Sequence, residues 1–223
     1  MRQDAGIPRR LVLRGAVMAG AVVLAGGACL AQGRAYADGE SANAGEAAGH
    51  IEKTQYGFLV KTANCVNCGK CVEACRLYNR TPEGMEGRRR VECYEAAFGR
   101  KVEKRYVSFG CMHCEHPSCM EVCPAKAISK RDDGIVVVDS NRCIGCKYCF
   151  QACPFEVPHY GENGMDKCDC CLGNGVTAGQ IPRCAEACMF DALNYGVLSE
   201  LEEKTFGKAK HIGVSTGPSY LLV

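Results

Sequence analysis

Cys65-Val66-Asn67-Cys68-Gly69-Lys70-Cys71-Val72-Glu73-Ala74-Cys75 and Cys143-Ile144-Gly145-Cys146-Lys147-Tyr148-Cys149-Phe150-Gln151-Ala152-Cys153 share one spacing, C-x2-C-x2-C-x3-C. In such a run three thiolates hold one iron-sulfur cluster and the fourth reaches across to another. Two further groups keep the logic with the third cysteine displaced: Cys111-Cys114-Cys119-Cys123 (x2, x4, x3) and Cys168-Cys171-Cys184-Cys188 (x2, x12, x3). Sixteen of the nineteen cysteines are thereby accounted for, enough for four 4Fe-4S clusters with iron on all sixteen. Disulfides and zinc are the competing uses of so many thiols. A disulfide framework has no need of a repeated x2-x2-x3 run, and zinc knuckles come as paired C-x2-C rather than as ordered tetrads.

Composition agrees with an interior that is partly inorganic. Tryptophan is absent, aromatic residues make up 7% and glycine occurs 26 times, which suits loops wrapped around compact groups better than a large apolar core. Ligand-bearing loops of this kind order only with their metal, so the clusters carry much of the folding free energy. The formal net charge of +2 treats every cysteine as neutral. Four loaded clusters add roughly −8, because coordinating thiols are deprotonated. A strongly acidic loaded protein is a poor match for nucleic acid.

The amino terminus reads as an export signal. Pro8-Arg9-Arg10-Leu11-Val12-Leu13-Arg14 is a twin arginine with apolar neighbours, Gly15 to Ala31 is almost wholly apolar, and Ala35-Tyr36-Ala37 offers a cleavage site after Ala37. The apolar stretch is shorter than a spanning helix needs. Cys29 offers a competing lipoprotein reading, weakened by the glycine three residues before it. The expected organisation is a twin-arginine signal over 1–37, a flexible linker over 38–52, a four-cluster domain over 53–197 and a helix with tail over 198–223. The protein is then exported to the periplasm or the outer face of the cytoplasmic membrane, without a span of its own in the mature chain, and held there through a partner.

Within the cluster domain, the segment from Cys65 to Ala127-Ile128 can be laid over that from Cys143 to Ala192-Leu193, which points to duplication of a two-cluster unit. A strand over Tyr56 to Lys61, a helix over Gly69 to Tyr78 and a hairpin joining Ala127–Ser129 to Ile135–Val138 are expected. So are a short helix from Cys146 to Cys153, stopped by Pro154, a loop between Cys171 and Cys184, and a surface helix from Leu198 to Lys210. Arg76 to Phe109 is the largest insertion, and its run Arg88-Arg89-Arg90 reads as a solvated face or a docking surface. Cys93 reads as a buried apolar thiol. His113, His116 and His159 read as packing beside complete clusters, and Lys70, Arg76 and Lys147 as charges able to raise cluster potentials.

Gln55-Tyr56-Gly57-Phe58-Leu59-Val60, Cys111-Met112-His113-Cys114-Glu115-His116-Pro117-Ser118-Cys119 and Lys167-Cys168-Asp169-x-Cys171 together resemble one family over roughly residues 53–197. It is the four-cluster iron-sulfur electron-transfer subunit of the dimethyl sulfoxide reductase family, with relatives in polysulfide, tetrathionate and nitrite reductase systems. The resemblance implies an α+β fold of two pseudo-symmetric bacterial ferredoxin-like units, with short hairpins and short helices around four 4Fe-4S clusters. It also implies nested sharing, where the repeat alone would equally allow the first group to pair with the second. The implied sets are Cys65, Cys68, Cys71 and Cys188; Cys168, Cys171, Cys184 and Cys75; Cys111, Cys114, Cys119 and Cys153; and Cys143, Cys146, Cys149 and Cys123.

The implied role is a non-catalytic relay of single electrons between an integral membrane quinone- or quinol-reactive subunit and a molybdopterin-containing catalytic subunit. A cytochrome nitrite reductase or a hydrogenase is the alternative partner, and a zinc-binding module the alternative class. Three features depart from the family pattern or test it. Met189 follows Cys188 where proline is usual, Cys170 competes with Cys171, and no tetrad has lost a cysteine, so no 3Fe-4S centre is expected.

Overall fold

The computed structural model describes residues 54–98, 100–161 and 164–223. The twin-arginine stretch, Cys29 and the whole of the expected linker lie outside them. The fold is a small mixture of short strands and short helices. At its centre is a four-stranded sheet in the order β8-β1-β10-β9, formed by β1 (Tyr56–Val60), β8 (Leu193–Val197), β9 (Lys210–His211) and β10 (Tyr220–Leu222). Strand β1 runs antiparallel to β8 and parallel to β10.

Alternation along β1 sorts its side chains between two faces. Phe58 and Val60 are fully buried on the face that meets the cysteines, where Phe58 sits in register with Tyr195 and Tyr220. The ring centroids of these cross-strand pairs are 5.1 and 5.6 Å apart. Leu59 and Leu221 point to the other face, which Leu201 of helix α5 (Leu198–Glu203) covers. Gly57 is required by close approach, since a Cβ there would lie 2.4 Å from the Ser219 carbonyl oxygen.

Among the described residues, four more α-helices and three two-stranded ribbons accompany the sheet. Helix α1 (Lys70–Tyr78) packs on α4 (Arg183–Glu186), and α2 (Ser118–Glu121) on α3 (Tyr148–Ala152). The ribbons are β2 (Arg90–Phe98) with β3 (Lys101–Phe109), β4 (Ile128–Lys130) with β5 (Val136–Val138), and β6 (His159–Gly161) with β7 (Gly164–Asp166). The first strand, the first helix, the hairpin after Ala127 and the helix before Pro154 lie where the sequence puts them.

Three expectations need correction. The helix foreseen to Lys210 ends at Glu203 and buries Leu201, because the chain must turn back to lay β9 and β10 into the central sheet. The stretch between Cys171 and Cys184 contains a 3-10 turn at Leu172–Asn174, so it is not wholly loop. Cys93 is exposed, since it lies on a two-stranded ribbon of which only the base is covered by the core.

Tyr220 and Leu221 have no exposed surface, so β10 is as much core as β1. Leu221→Ala is expected to cost about 2–5 kcal/mol through lost burial and a residual cavity. Thermal unfolding followed by near-UV circular dichroism would read this as a large fall in midpoint, whereas Leu77→Ala, at an exposed site, should leave the midpoint nearly unchanged.

Candidate metal centres

One backbone device recurs in all four cysteine groups. The residue just before the second cysteine has a left-handed backbone: Asn67 (φ 56°), His113 (φ 42°), Gly145 (φ 66°) and Cys170 (φ 57°). This turn folds a C-x2-C segment back on itself, which is what two sulfurs need to reach one small volume. Three of the four residues are not glycine and accept strain of order 1–2 kcal/mol each. A second device sits three residues after the last cysteine of three groups, where Lys126, Glu156 and Asp191 have φ near 50°. Pro124 and Pro154 lead into two of these turns, and Met189 leads into the third, so the missing proline leaves the turn in place.

The thiols assemble as follows. Cys65, Cys68, Cys71 and Cys188 line one cavity, and Cys123, Cys143, Cys146 and Cys149 line another. Cys75 lies among Cys168, Cys171 and Cys184, and the Asn79 amide donates to Cys75 Sγ at 3.6 Å and to Cys171 Sγ at 3.7 Å. Cys119 lies among Cys111, Cys114 and Cys153. Every cysteine among the described residues is a free thiol.

Burial and mutual repulsion push several of these sulfurs up, toward the neutral thiol. Burial, then the neighbouring Cys168 and Cys184, push Cys75 far up, and burial drives Cys184 to about 12 despite the opposing charge of Arg89. Cys119 is pushed up to about 12, again mainly by burial. Cys111 and Cys168 run the other way: burial raises Cys111, but His113 and Lys167 outweigh burial and leave it at about 6, and a hydrogen bond with Cys170, with His113 and Arg89 close by, holds Cys168 well below the usual thiol range. Quartets of soft, buried thiols that repel one another as anions suit a compact, highly charged iron-sulfur core.

Hydrogen bonds to sulfur are already in place. The backbone N–H groups of Ala127, Met165 and Cys170 donate to Cys123, Cys143 and Cys168 at 3.3 to 3.4 Å. The Tyr160 hydroxyl lies 2.9 Å from Cys149 Sγ. Such donors stabilise thiolate charge.

The arginine run, expected as a solvated face or a docking surface, is instead built into the site. Arg88 grips Asp166 with Nε and Nη2, at 2.9 and 2.8 Å, and donates from Nη1 to Asp169 at 2.8 Å and to Asn79 at 2.9 Å. Asp169 in turn accepts the backbone N–H groups of Cys171 and Gly173, closing the turn in which both Cys170 and Cys171 have left-handed backbones. Arg89 is buried against Phe58, and Arg90 stacks over Phe109 and donates to the Phe155 carbonyl. Three successive arginines point inward because the polar loops around the cysteines offer carbonyls and carboxylates that a small apolar core cannot.

Of the cations singled out from the sequence, Lys70 and Lys147 line the cavities of two cysteine groups. Lys70 is exposed and paired with Glu73, Arg76 donates to the Met85 and Pro82 carbonyls, and Lys147 lies over the Tyr160 ring. The buried cations nearest the cysteines are Arg89 and Lys167. Lys167 sits between two groups, with Cys111 and Cys119 on one side and Cys168 and Cys170 on the other, and bonds the Val136 and Cys168 carbonyls. Its position just before Cys168 is the one signal the sequence offers for it. Of the histidines, His116 is exposed and His159 is buried within 3.8 Å of Glu86. His113 accepts the Val136 N–H at Nδ1, and its Nε2 lies 3.3 Å from Cys170 Sγ.

The 4Fe-4S dicluster domain family matches residues 102–198. The B polypeptide of the anaerobic dimethyl sulfoxide reductase of Escherichia coli strain K12 is 43% identical over 163 residues, covering 68% of this chain and 78% of that protein. The thiosulfate reductase electron transfer subunit PhsB of Salmonella typhi is 39% identical over 151 residues, 66% of this chain and 79% of that one. Protein NrfC of Escherichia coli strain K12 is 37% identical over 155 residues, 68% and 69% of the two chains.

Arg88→Ala removes the shared partner of Asp166, Asp169 and Asn79, and should cost about 1.5–3 kcal/mol at these charged hydrogen bonds. A lowered denaturation midpoint accompanied by earlier release of iron on heating is expected; a midpoint equal to wild type would show that the cysteine turn stands without it.

Proposed function

The chain belongs to the family of iron-sulfur electron-transfer subunits that includes the B polypeptide of anaerobic dimethyl sulfoxide reductase, and from that membership we propose that it relays single electrons through four 4Fe-4S clusters without catalysing a reaction of its own. The observation that carries the proposal is nested juxtaposition: the fourth cysteine of each group lies with the first three of another. The ligand sets are then Cys65, Cys68, Cys71 and Cys188; Cys75, Cys168, Cys171 and Cys184; Cys111, Cys114, Cys119 and Cys153; and Cys123, Cys143, Cys146 and Cys149. Packing of α1 on α4 and of α2 on α3 supports two pseudo-symmetric units, each built on one helix pair.

Each loaded group supplies reversible one-electron exchange. The chain's part is to hold four such groups, donate hydrogen bonds to their thiolates and keep one of the four away from water. Cys75, Cys168, Cys171 and Cys184 are all buried, whereas Cys68 is exposed and Cys143 and Cys146 are partly so. Apolar side chains are exposed beside the groups that contain Cys68 and Cys146: Val66 and Met189 at the first, Ile144 and Tyr148 at the second. Apolar surface beside a redox group suits docking of a partner that must exclude water from the contact.

One partner is proposed to be a molybdopterin-containing catalytic subunit and the other an integral membrane subunit that exchanges electrons with quinone or quinol. The leader over 1–37 places the assembly outside the cytoplasmic membrane, with 38–52 as linker. Among the described residues no helix is long and apolar enough to cross a membrane.

Anaerobic purification of the intact complex from membranes, with metal analysis, tests the reading. About sixteen irons per chain, four per cluster, together with molybdenum or tungsten, are expected. Iron with haem or nickel and no molybdenum would assign a cytochrome or hydrogenase partner, and zinc without iron would overturn the proposal. Ligand choice is tested separately. Cys170→Ala should keep the full iron content and Cys171→Ala should lose about four irons; the reverse would exchange the two residues.

A further inference from the structure

Arg89 approaches β2 from the loop that follows α1, and its side chain turns inward until 2% is exposed. The guanidinium lies over the Phe58 ring, 4.6 Å from the centroid. Nη1 donates to Ser108 Oγ at 3.0 Å and to Tyr220 Oη at 3.1 Å. Gly110 makes the space for Nη2, since a Cβ at that position would lie 3.1 Å from it. Nε and Nη2 are buried with no acceptor among the described residues.

An ionised guanidinium in such a place needs a counter-charge, and no carboxylate stands among its partners. The groups nearest it that can carry negative charge are Cys184, Tyr220, Cys168 and Cys75. Three of these four are cysteines of a single ligand set. Ser108 carries the contact further: its hydroxyl accepts from Arg89 and lies 3.3 Å from Cys71 Sγ, so its own proton is free to point at that sulfur. Cys71 belongs to the neighbouring set.

We propose that Arg89 is a positioning residue that raises the reduction potentials of two adjacent clusters together, directly for the set Cys75, Cys168, Cys171 and Cys184, and through the Ser108 hydroxyl for the set Cys65, Cys68, Cys71 and Cys188. The inference rests on the ligand sets proposed above. An added electron makes a cluster more negative, and a fixed positive charge held in a poorly polarisable interior favours that reduced state. Exposed Lys70, one residue from Cys71, is already paired with Glu73 and screened by solvent, so it has little leverage by comparison.

The test is a redox titration of the intact complex in membranes, read by electron paramagnetic resonance, with iron counted in each variant. Arg89→Gln keeps much of the shape and removes the charge, Arg89→Lys restores the charge, and Ser108→Ala removes only the hydroxyl. With iron complete, Arg89→Gln should lower the reduced-to-oxidised ratio of two clusters about tenfold at a fixed ambient potential, about 59 mV for a one-electron couple. Arg89→Lys should recover most of that loss, and Ser108→Ala should lower the ratio of one cluster.

Unchanged ratios in a fully loaded Arg89→Gln protein, or an Arg89→Lys protein that falls as far as Arg89→Gln, would overturn the proposal. If Arg89→Gln assembles without its iron, Ser108→Ala decides: a lowered ratio at one cluster sustains the proposal and an unchanged one overturns it. An error in the ligand sets shows elsewhere, as Cys188→Ala protein that retains all its iron whatever the potentials do.

Discussion

Like charges gathered in a small dry volume repel, and nearly everything else in this protein answers that constraint. Sixteen sulfurs are brought into four knots where burial and mutual repulsion push several of them, Cys75, Cys119 and Cys184 among them, toward the neutral thiol. A metal core removes that penalty by turning the thiols into ligands. The protein adds smaller contributions: backbone N–H groups aimed at sulfur, a tyrosine hydroxyl at Cys149, and two cations sealed inside. The central sheet is small because its task is limited. Its inner face presents Phe58, Tyr195 and Tyr220 to the cysteines, and its outer face needs only a six-residue helix to cover it.

Geometry imposes a second demand, met locally and four times over. Two sulfurs with two residues between them are brought together here by a backbone that turns through the left-handed region, and Asn67, His113, Gly145 and Cys170 all adopt it. Glycine would be the unstrained choice, yet it appears once. At Cys170 the strain is offset by Asp169, which accepts the N–H groups of the turn and is itself held by Arg88. Local strain is thus tied to a long-range ion pair, which is how a turn of this kind can be rigid without a glycine.

The cysteine spacing makes much of this legible from the order of the amino acids. The tetrads, the strand ahead of Cys65, the helix carrying Cys71 and Cys75 and the hairpin after Ala127 depend on neighbours in sequence, and neighbours can be read. The rest depends on partners far along the chain. Arg88-Arg89-Arg90 looks like a solvated run because nothing nearby shows that Asp166, Asp169, Phe58 and Phe155 surround it. Residues 210–222 carry no strong strand pattern, and become strands because β1 leaves an open edge beside them. Lys167 stands out only as part of a motif, since one residue ahead of a cysteine gives no hint that its side chain turns inward between two groups.

The position of β10 in the central sheet has a consequence for assembly. Strand β1 lies ahead of every cysteine group, and its parallel neighbour lies behind all of them, with Leu59 opposite Leu221. The sheet therefore cannot close until the whole intervening chain has been synthesised, and its closure carries the entropic cost of a very long loop. Until β10 docks, Phe58 lacks Tyr220 on one face of the sheet and Leu59 lacks Leu221 on the other, so both halves of the core wait on the same late event.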